Sequence, residues 1–523
     1  MRPLTLRKIN FEKGLILLLI AALGLGFFLH FRNLFGAKFM DPDEARAMAM
    51  LPSGPFIYLL CRPLYALMQL EHSGFYTAAA LGFGSILLFY LVTRKLFDRW
   101  NAVLSTLVFA FFPIRINFAR SLYPAVFVDF FVLLLILVLV YVLMRKRYNA
   151  AIFAGMISAV LIAVHPFTYS VLFGIVLALI LLWFFNRDKI SLHEVRNFSF
   201  MYALGAIVWY FLLEQLFMRI KPGYIFTEQL LGFHSYSQDF TDVESFFGGL
   251  GRFLAVLHRI IFESPITIFR GIFVGFSVIF SLKVFFRRKK SPLFFFIIYG
   301  IGGVTALLAG DLLNVHGGLA HRVLIWLCPV VSMCIGYCCT EIFLKGSVVS
   351  KILVSVSFVL FMVSSVHISY LVTTETFKTE MINTWLKKNN IPKTFVVTNL
   401  HLREKDDTDG ASMFPVRHHR KWTKTNHRYQ ILWPLLSEAY RRKMVFYIIP
   451  SGIGGFAHLE DGDAVFQGVS PVKSWPHPYS QFKYRFSFRG KSPDSYNCKI
   501  NVYKLSDLFD MRRPLYKAKT KPN

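Results

Sequence analysis

Long apolar blocks alternate with short basic segments along most of the chain. Each block has about twenty residues, which is the length that an α-helix needs to cross a hydrocarbon core of about 30 Å. Hydropathy therefore predicts about eleven transmembrane helices. They cover residues 14–29, 75–92, 101–116, 124–144, 150–166, 167–185, 198–217, 266–286, 292–310, 321–343 and 352–372. The pattern predicts a polytopic α-helical membrane protein.

The first apolar block follows a basic N-terminus, an order that is also typical of a signal peptide. No small-residue cleavage site follows residues 14–29, and many further apolar blocks do. We therefore interpret this block as a retained first transmembrane helix.

The short basic segments predict the orientation in the membrane. They occupy residues 94–99, 145–147, 186–196, 287–290 and 345–351. All of them face the cytoplasm if the N-terminus is cytoplasmic, as the positive-inside rule requires. An odd number of spans then places the C-terminal residues outside the cytoplasm. We expect a multi-pass protein of the bacterial inner membrane.

Three segments on the outer side are long enough to carry a function. Residues 31–73 form the first outer loop, in which two interfacial helices are expected, and residues 219–264 form a second long loop. The third segment, 373–523, has the size of one domain. Its predicted helices and strands cover residues 376–389, 394–398, 430–442, 444–449, 484–488 and 498–505. We predict a transmembrane domain at 1–372 and a small extracytoplasmic α/β domain at 373–523.

Composition excludes other protein classes. The chain is 55% hydrophobic and 17% charged, which does not fit a soluble enzyme, a disordered protein or a fibrous one. The net charge of +28 indicates anionic lipid headgroups and membrane topology before nucleic acid, so no nucleic-acid partner is expected. Six cysteines are too few for a disulfide framework, and five of them lie in apolar surroundings.

An acidic cluster follows the first predicted span. The sequence Pro-Asp-Glu-Ala-Arg at 42–46 places Asp43 and Glu44 at the outer membrane surface. A partly desolvated carboxylate at such a surface can act as a general base. Alternatively, both acids simply stabilise the first turn of a helix that begins at Pro42.

Four segments together resemble a known group of enzymes. They are the acidic stretch 42–46, the Gly-Pro-Phe-Ile-Tyr-Leu-Leu stretch 54–60, the basic turn 94–99 and the Asn-Phe-Ala-Arg-Ser-Leu-Tyr-Pro stretch 117–124. In this order the segments resemble the GT-C superfamily of glycosyltransferases, in particular its PMT/ArnT-like members that use dolichyl- or polyprenyl-phosphate sugars. The resemblance covers roughly residues 10–190, and the remainder agrees in architecture alone.

The resemblance implies an activity and a set of site residues. A sugar would pass, with inversion, from a polyprenyl-phosphate donor to an extracytoplasmic acceptor, which is a protein, a glycolipid or a wall polymer. Asp43 would be the catalytic base, and Glu44 would orient it or bind a metal. The cations expected at the donor phosphate are Arg46, Arg120, Arg259 and Arg322. The residues expected to line the substrate cavity are Tyr58, Tyr123, His165 and His316.

Several of these assignments leave alternatives open. A divalent metal is compatible with Glu44 and His234, but their spacing does not define a closed ligand set. Arg120 could equally be an interfacial arginine that extends its side chain to the membrane surface. His165 could equally cap the end of a helix before Pro166.

The chain also departs from the family pattern. Ala125 occupies the position of a second acid that many members carry, and the nearest acid is Asp129, one turn deeper. Ser53 and Gly54 replace a lysine that some relatives use on the donor phosphate. A transporter or lipid flippase, or a non-catalytic scaffold of the same architecture, is the alternative function. The acids cluster at one membrane face and no internal repeat is present, which favours the transferase over a transporter.

Overall fold

The structure is a computed structural model that describes most of the predicted membrane domain and part of the C-terminal domain. The residues described are 3–32, 34, 59–61, 70–120, 124–164, 168–187, 190–220, 267–287, 292–312, 325–374, 385, 388–390, 396–398, 447–449, 470–476 and 499–504. The chain divides into two compact units. The described residues up to Thr374 belong to a helical unit, and those from Trp385 onward belong to a smaller second unit.

Twelve α-helices make up the described part of the helical unit. They are α1 (Pro3–Phe31), α2 (Leu70–Leu96), α3 (Arg99–Ala110), α4 (Pro113–Ala119), α5 (Pro124–Arg145), α6 (Ala151–Val164), α7 (Thr168–Phe185), α8 (Leu192–Ile220), α9 (Thr267–Arg287), α10 (Pro292–Leu312), α11 (Cys328–Lys345) and α12 (Val348–Thr374). A 3₁₀ turn, Tyr148–Ala150, precedes α6. Each predicted span overlaps one or two of these helices.

Seven helices within the described residues are long and apolar enough to cross a membrane, and two shorter helices are also apolar. Their lengths and compositions make the chain a multi-pass membrane protein. The number of about eleven spans and the orientation of the termini stay predictions.

The structure divides the predicted span 101–116 between two helices. Helix α3 ends at Ala110, and α4 begins at Pro113, which has no backbone N–H and disfavours the helical conformation of Phe112. The hydroxyl of Ser369 on α12 donates to the carbonyl of Phe111 in the break, at 3.2 Å. The interruption therefore gives α12 a backbone contact that a continuous helix would not offer.

Helix α8 begins earlier than the predicted span 198–217 because a capping box fixes its first turn. The Ser191 N–H donates to the Glu194 carboxylate at 2.8 Å, and the Glu194 N–H donates to the Ser191 hydroxyl at 3.2 Å. Lys146 Nζ lies 3.3 Å from the same carboxylate. The polar first turn therefore belongs to the helix although it is too polar for a hydropathy window.

Glycines allow two helix pairs to approach closely. A Cβ on Gly155 of α6 would lie 2.0 Å from the carbonyl oxygen of Tyr202 on α8, and one on Gly205 would lie 2.1 Å from that of Ile152. A Cβ on Gly174 of α7 would lie 2.7 Å from the backbone nitrogen of Gly303 on α10. Small residues at helix contacts are a main source of stability inside membranes, because lipid supplies no hydrophobic driving force.

The second unit contains a four-stranded mixed sheet of β1 (Val396–Thr398), β2 (Tyr447–Ile449), β3 (Lys473–Pro476) and β4 (Lys499–Lys504), in the order β1-β2-β4-β3. Strands β1 and β2 are parallel, with Val396 opposite Tyr447, and both β2 and β3 pair antiparallel with β4.

Strands β1, β2 and β4 fall within predicted strands, whereas β3 was not predicted. The predicted strand 484–488 and helix 430–442 lie outside the described residues, as does almost all of helix 376–389. A complete α/β domain stays a prediction.

Candidate functional site

The C-terminal end of α1 is bound by an arginine from another part of the chain. Arg120 directly follows α4, and only 1% of its surface is exposed. Its Nη1 donates to the carbonyl oxygen of Leu29 at 2.9 Å, to that of His30 at 3.5 Å and to that of Arg32. The last carbonyls of an α-helix have no partner within the helix and carry the negative end of its dipole. Arg120 therefore caps α1 across a helix–helix contact.

The charge of this cap persists at neutral pH. Burial, and to a smaller extent the positive charge of Arg32, lower the pKa of the Arg120 guanidinium to about 10. The side chain therefore still carries its proton and binds the helix end as a cation.

Aromatic contacts hold the same end of α1 against two further helices. The Arg32 guanidinium lies 4.4 Å from the ring centroid of Tyr370 on α12 and 5.3 Å from that of Phe28. The Phe31 ring stacks on Tyr76 of α2, with 6.3 Å between the centroids. The exit of α1 is thus attached to α2, to α12 and to the residue after α4.

A buried ion pair lies next to this cap. Arg115 on α4 donates from Nε to the Asp129 carboxylate on α5 at 2.9 Å, and the two side chains are 0% and 1% exposed. Arg115 Nη2 also donates to the carbonyl of Gly82 on α2, and the guanidinium lies 4.1 Å from the ring centroid of Phe109 on α3. This one side chain therefore connects α2, α3, α4 and α5.

His30 completes the polar cluster beside Gly82. Its Nδ1 lies 2.7 Å from the carbonyl of Gly26, which can only accept, so in the neutral ring Nε2 carries the lone pair. A Cβ at Gly82 would lie 3.3 Å from His30 Nε2 and 2.4 Å from the Cβ of Ala119, so no larger residue fits without a shift.

Three polar atoms of this cluster have no hydrogen-bond partner in the part of the chain that the structure describes. They are His30 Nε2, Arg115 Nη1 and Asp129 Oδ1, which are two acceptors and one donor. Buried sets of this kind are commonly satisfied by an internal water molecule.

Another buried arginine lies on α9. Arg270 Nη1 donates to the hydroxyls of Ser364 at 2.7 Å and Ser365 at 2.9 Å, both on α12. Its guanidinium lies 4.5 Å from the ring centroid of Phe361. Unlike Arg120, Arg270 makes these contacts with side chains of a single neighbouring helix.

Of the predicted site residues, Arg120 lies among the described residues. Its Nη1 is engaged by backbone carbonyls, and a role as phosphate ligand stays a prediction. The others lie outside the described residues: Asp43, Glu44, Arg46, Tyr58, Tyr123, His165, His234, Arg259, His316 and Arg322. The described residues contain no group of three His, Cys, Asp or Glu side chains able to hold a metal. The predicted metal ligands Glu44 and His234 are not among those searched.

Sequence reasoning assigned no role to His30 or Arg115, although both lie in apolar segments. Ionisable residues inside membrane helices are costly and are usually paired or functional. Their presence in apolar segments could therefore have indicated a role for His30 and Arg115. Asp129, the acid nearest to Ala125 in the sequence, is buried against Arg115.

No protein-family model and no curated protein matches the chain. Solved structures of an oligosaccharyltransferase from Archaeoglobus fulgidus are similar to it. The complex with zinc and sulfate has a TM-score of 0.49 and 15% identity, over 72% of this chain and 56% of that one. The form tethered to an acceptor peptide has a TM-score of 0.48 and 14% identity, over 72% of this chain and 57% of that one.

A third structure, of the archaeal oligosaccharyltransferase AglB from the same organism with an inhibitory peptide and a dolichol-phosphate, has a TM-score of 0.42 and 12% identity. The match covers 72% of this chain and 58% of that one. The chain therefore spans less than two thirds of the length of these proteins, and all three TM-scores are below 0.5. The helices and the buried polar cluster define a multi-pass membrane protein whose first span is capped by Arg120.

Proposed function

We propose that the chain is a GT-C-type membrane glycosyltransferase that transfers a sugar from a polyprenyl-phosphate-linked donor to an extracytoplasmic acceptor. The supporting observation is the position of the acidic stretch 42–46. Asp43 follows Arg32, the last residue capped by Arg120, by eleven positions, so it comes soon after a fixed helix end. The acceptor is a protein, a glycolipid or a wall polymer.

The donor lipid requires this arrangement. Its polyprenyl chain stays in the bilayer while its phosphate and sugar reach the membrane surface, so the reacting groups must lie near a helix end. In the proposed reaction, the Asp43 carboxylate accepts the proton of the acceptor nucleophile as the latter attacks the anomeric carbon. The transition state resembles an oxocarbenium ion, and a single displacement inverts the anomeric centre.

The leaving group is a lipid phosphate whose negative charge grows as the glycosidic bond breaks. Cations that lie close to this phosphate stabilise the transition state. The sequence assigns this role to Arg46, Arg120, Arg259 and Arg322. The walls of the substrate cavity are assigned to Tyr58, Tyr123, His165 and His316. Glu44 orients Asp43 or, together with His234, binds a divalent metal.

The proposed topology has about eleven spans, a cytoplasmic N-terminus and an extracytoplasmic C-terminal domain, in the inner membrane of a bacterium. It places the acidic stretch 42–46 and the long loop 219–264 on the same side of the membrane. The acceptor would reach the site from that side.

Replacement of Asp43 tests the proposal. The purified Asp43→Asn protein is supplied with a panel of polyprenyl-phosphate sugars and candidate acceptors. Its turnover is expected to be at least about 100-fold lower than that of the wild type, because a general base usually contributes a factor of this size. Asp41→Asn is the matched control, because it removes a charge two positions away and is expected to retain turnover. Both variants should be purified in wild-type amounts.

Two results would contradict the proposal. Equal turnover in Asp43→Asn and wild type would remove the base from the mechanism. If the wild-type protein transfers no sugar but moves polyprenyl phosphates across vesicle membranes, the flippase alternative replaces the transferase.

A further inference from the structure

We propose that Arg120 is a positioning residue that fixes the exit of α1, from which the chain continues to Asp43. This inference rests on the proposed function, in which Asp43 is the base, and it changes the role of Arg120 from phosphate ligand to helix cap.

The hydrogen bonds of Arg120 carry the inference. Its Nη1 reaches the carbonyls of Leu29 and His30 in the last turn of α1 and that of Arg32, the residue after the helix. The Arg32 N–H donates back to the Phe28 carbonyl at 2.8 Å, so Arg32 closes that turn. Helices usually end on a glycine whose left-handed conformation allows the backbone to satisfy these carbonyls. Here the side chain of Arg120 satisfies them instead.

The base from which Arg120 extends is itself fixed. Five residues earlier, Arg115 binds the Asp129 carboxylate and the Gly82 carbonyl from the same short helix α4. Two arginines at the two ends of α4 therefore connect α1, α2 and α5. A displacement of α1 along its axis would break the hydrogen bonds between its end and Arg120.

This geometry does not suit a ligand of the donor phosphate. The side chain of Arg120 is 1% exposed, and its Nη1 already faces the negative end of the α1 dipole. A phosphate would have to compete with three carbonyls for that nitrogen. The cap instead holds the helix end that precedes the acidic stretch 42–46 in the chain, and misplacement of a catalytic group by about 1 Å can reduce a rate about 100-fold.

Hydrogen–deuterium exchange tests the cap without any requirement for sugar transfer. The experiment uses the full-length protein in lipid nanodiscs without donor. Arg120→Gln removes the charged hydrogen bonds to the carbonyls at the end of α1, so this end opens more often. The amides of residues 26–32 are therefore expected to exchange about tenfold faster or more. Arg120→Lys, which keeps a cation, is expected to restore part of the protection. Arg270→Gln is the matched control, because this buried arginine donates to Ser364 and Ser365 on α12, and it should leave the exchange of these amides unchanged.

Kinetics then separate positioning from phosphate binding. Arg120→Gln is expected to lower kcat about tenfold or more while the KM for the polyprenyl-phosphate sugar changes by less than about twofold. Arg120→Lys should recover part of kcat. Arg270→Gln should retain wild-type kcat in the folded protein even if its thermal stability falls.

The outcomes distinguish the two proposals. Unchanged exchange in Arg120→Gln overturns the positioning role, whether or not the protein transfers sugar. A raised donor KM with unchanged kcat overturns it in favour of phosphate binding, and an equal loss of kcat in Arg270→Gln overturns it in favour of general stability. If Arg120→Gln exchanges faster but the wild-type protein transfers no sugar, the cap is retained and the transferase is rejected.

Discussion

At the residue scale, the buried Arg115–Asp129 pair decides how the first spans pack. Both side chains are almost completely buried, so they pay a large desolvation cost, which their mutual contact, the Gly82 carbonyl and the Phe109 ring offset. Removal of one partner leaves the other charge uncompensated. Loss of one partner of a buried pair therefore destabilises a protein more than replacement of both charges by apolar residues.

Asp129→Asn is expected to destabilise the protein by about 3 kcal/mol or more, because the Arg115 charge loses its counterion in a buried site. Thermal unfolding in detergent, followed by tryptophan fluorescence, measures the change. Glu341→Gln is the matched control, since its partner Lys345 is 59% exposed and the pair lies 2.6 Å apart near the surface. We expect the control to lose less than about 1 kcal/mol.

The double variant Arg115→Met/Asp129→Leu should recover most of the stability that Asp129→Asn loses, since neither charge is left buried alone. Recovery will be incomplete because Arg115 also donates to Gly82 and contacts the Phe109 ring. A double variant that is less stable than either single variant would show that the hydrogen bond to Gly82 outweighs the ion pair.

At the element scale, close glycine contacts set the distances between helices. Gly155 of α6 meets the backbone of Tyr202 and Ala206 on α8, and Gly205 meets the backbone of Ile152 in return. The hydroxyls of Ser158 and Tyr202 lie 2.6 Å apart beside this contact. Backbone atoms cannot move aside as a flexible side chain can, so these positions tolerate no larger residue.

Gly155→Leu is expected to destabilise the protein by about 3 kcal/mol, because its side chain must push α6 and α8 apart. Gly275→Leu on α9 is the matched control, since a Cβ there meets no atom within 4 Å. Comparison of the two unfolding temperatures checks the prediction. Equal unfolding temperatures would show that α6 and α8 do not pack through Gly155.

Helix positions could be predicted from the chain because about twenty consecutive apolar residues have few alternatives to a membrane-spanning helix. The break before Pro113 was missed, although the effect of proline on the preceding residues was a usable signal. Strand β3 was missed because Lys473–Pro476 is short and contains no β-branched residue.

The partners of the buried polar residues could not be predicted. Arg115 binds Gly82, thirty-three residues earlier, and Arg120 binds Leu29, ninety-one residues earlier. Such pairings depend on which helices become neighbours, and hydropathy does not contain that information. The sequence named Arg120 as a ligand of the donor phosphate, which stays a prediction, and it gave no indication of the contact with the end of α1.

At the scale of the whole molecule, the account depends on which side of the membrane each segment faces. Five cysteines, Cys61, Cys328, Cys334, Cys338 and Cys339, are free and buried. Cys498 is the sixth cysteine of the chain, and it lies in the predicted extracytoplasmic domain. The native cysteines therefore provide a test of orientation.

A membrane-impermeant maleimide added to intact spheroplasts is expected to label the wild-type protein at Cys498 and not the Cys498→Ser variant. An Asn523→Cys/Cys498→Ser protein repeats the test at the end of the chain in case the first thiol is shielded. Labelling of both proteins only after the membrane is permeabilised would place the C-terminal domain in the cytoplasm and reverse the proposed topology.

The central claim is that a polyprenyl-phosphate donor binds beside Asp43 at the exit of the first span. A density map of the full-length protein in lipid nanodiscs with added polyprenyl phosphate tests it most directly. The account predicts lipid phosphate in contact with at least one of Arg46, Arg259 and Arg322, with the Asp43 carboxylate facing the same cavity and Arg120 still bound to the end of α1. An Asp43 carboxylate that is packed inside the protein, with no lipid-accessible cavity next to it, would contradict the account.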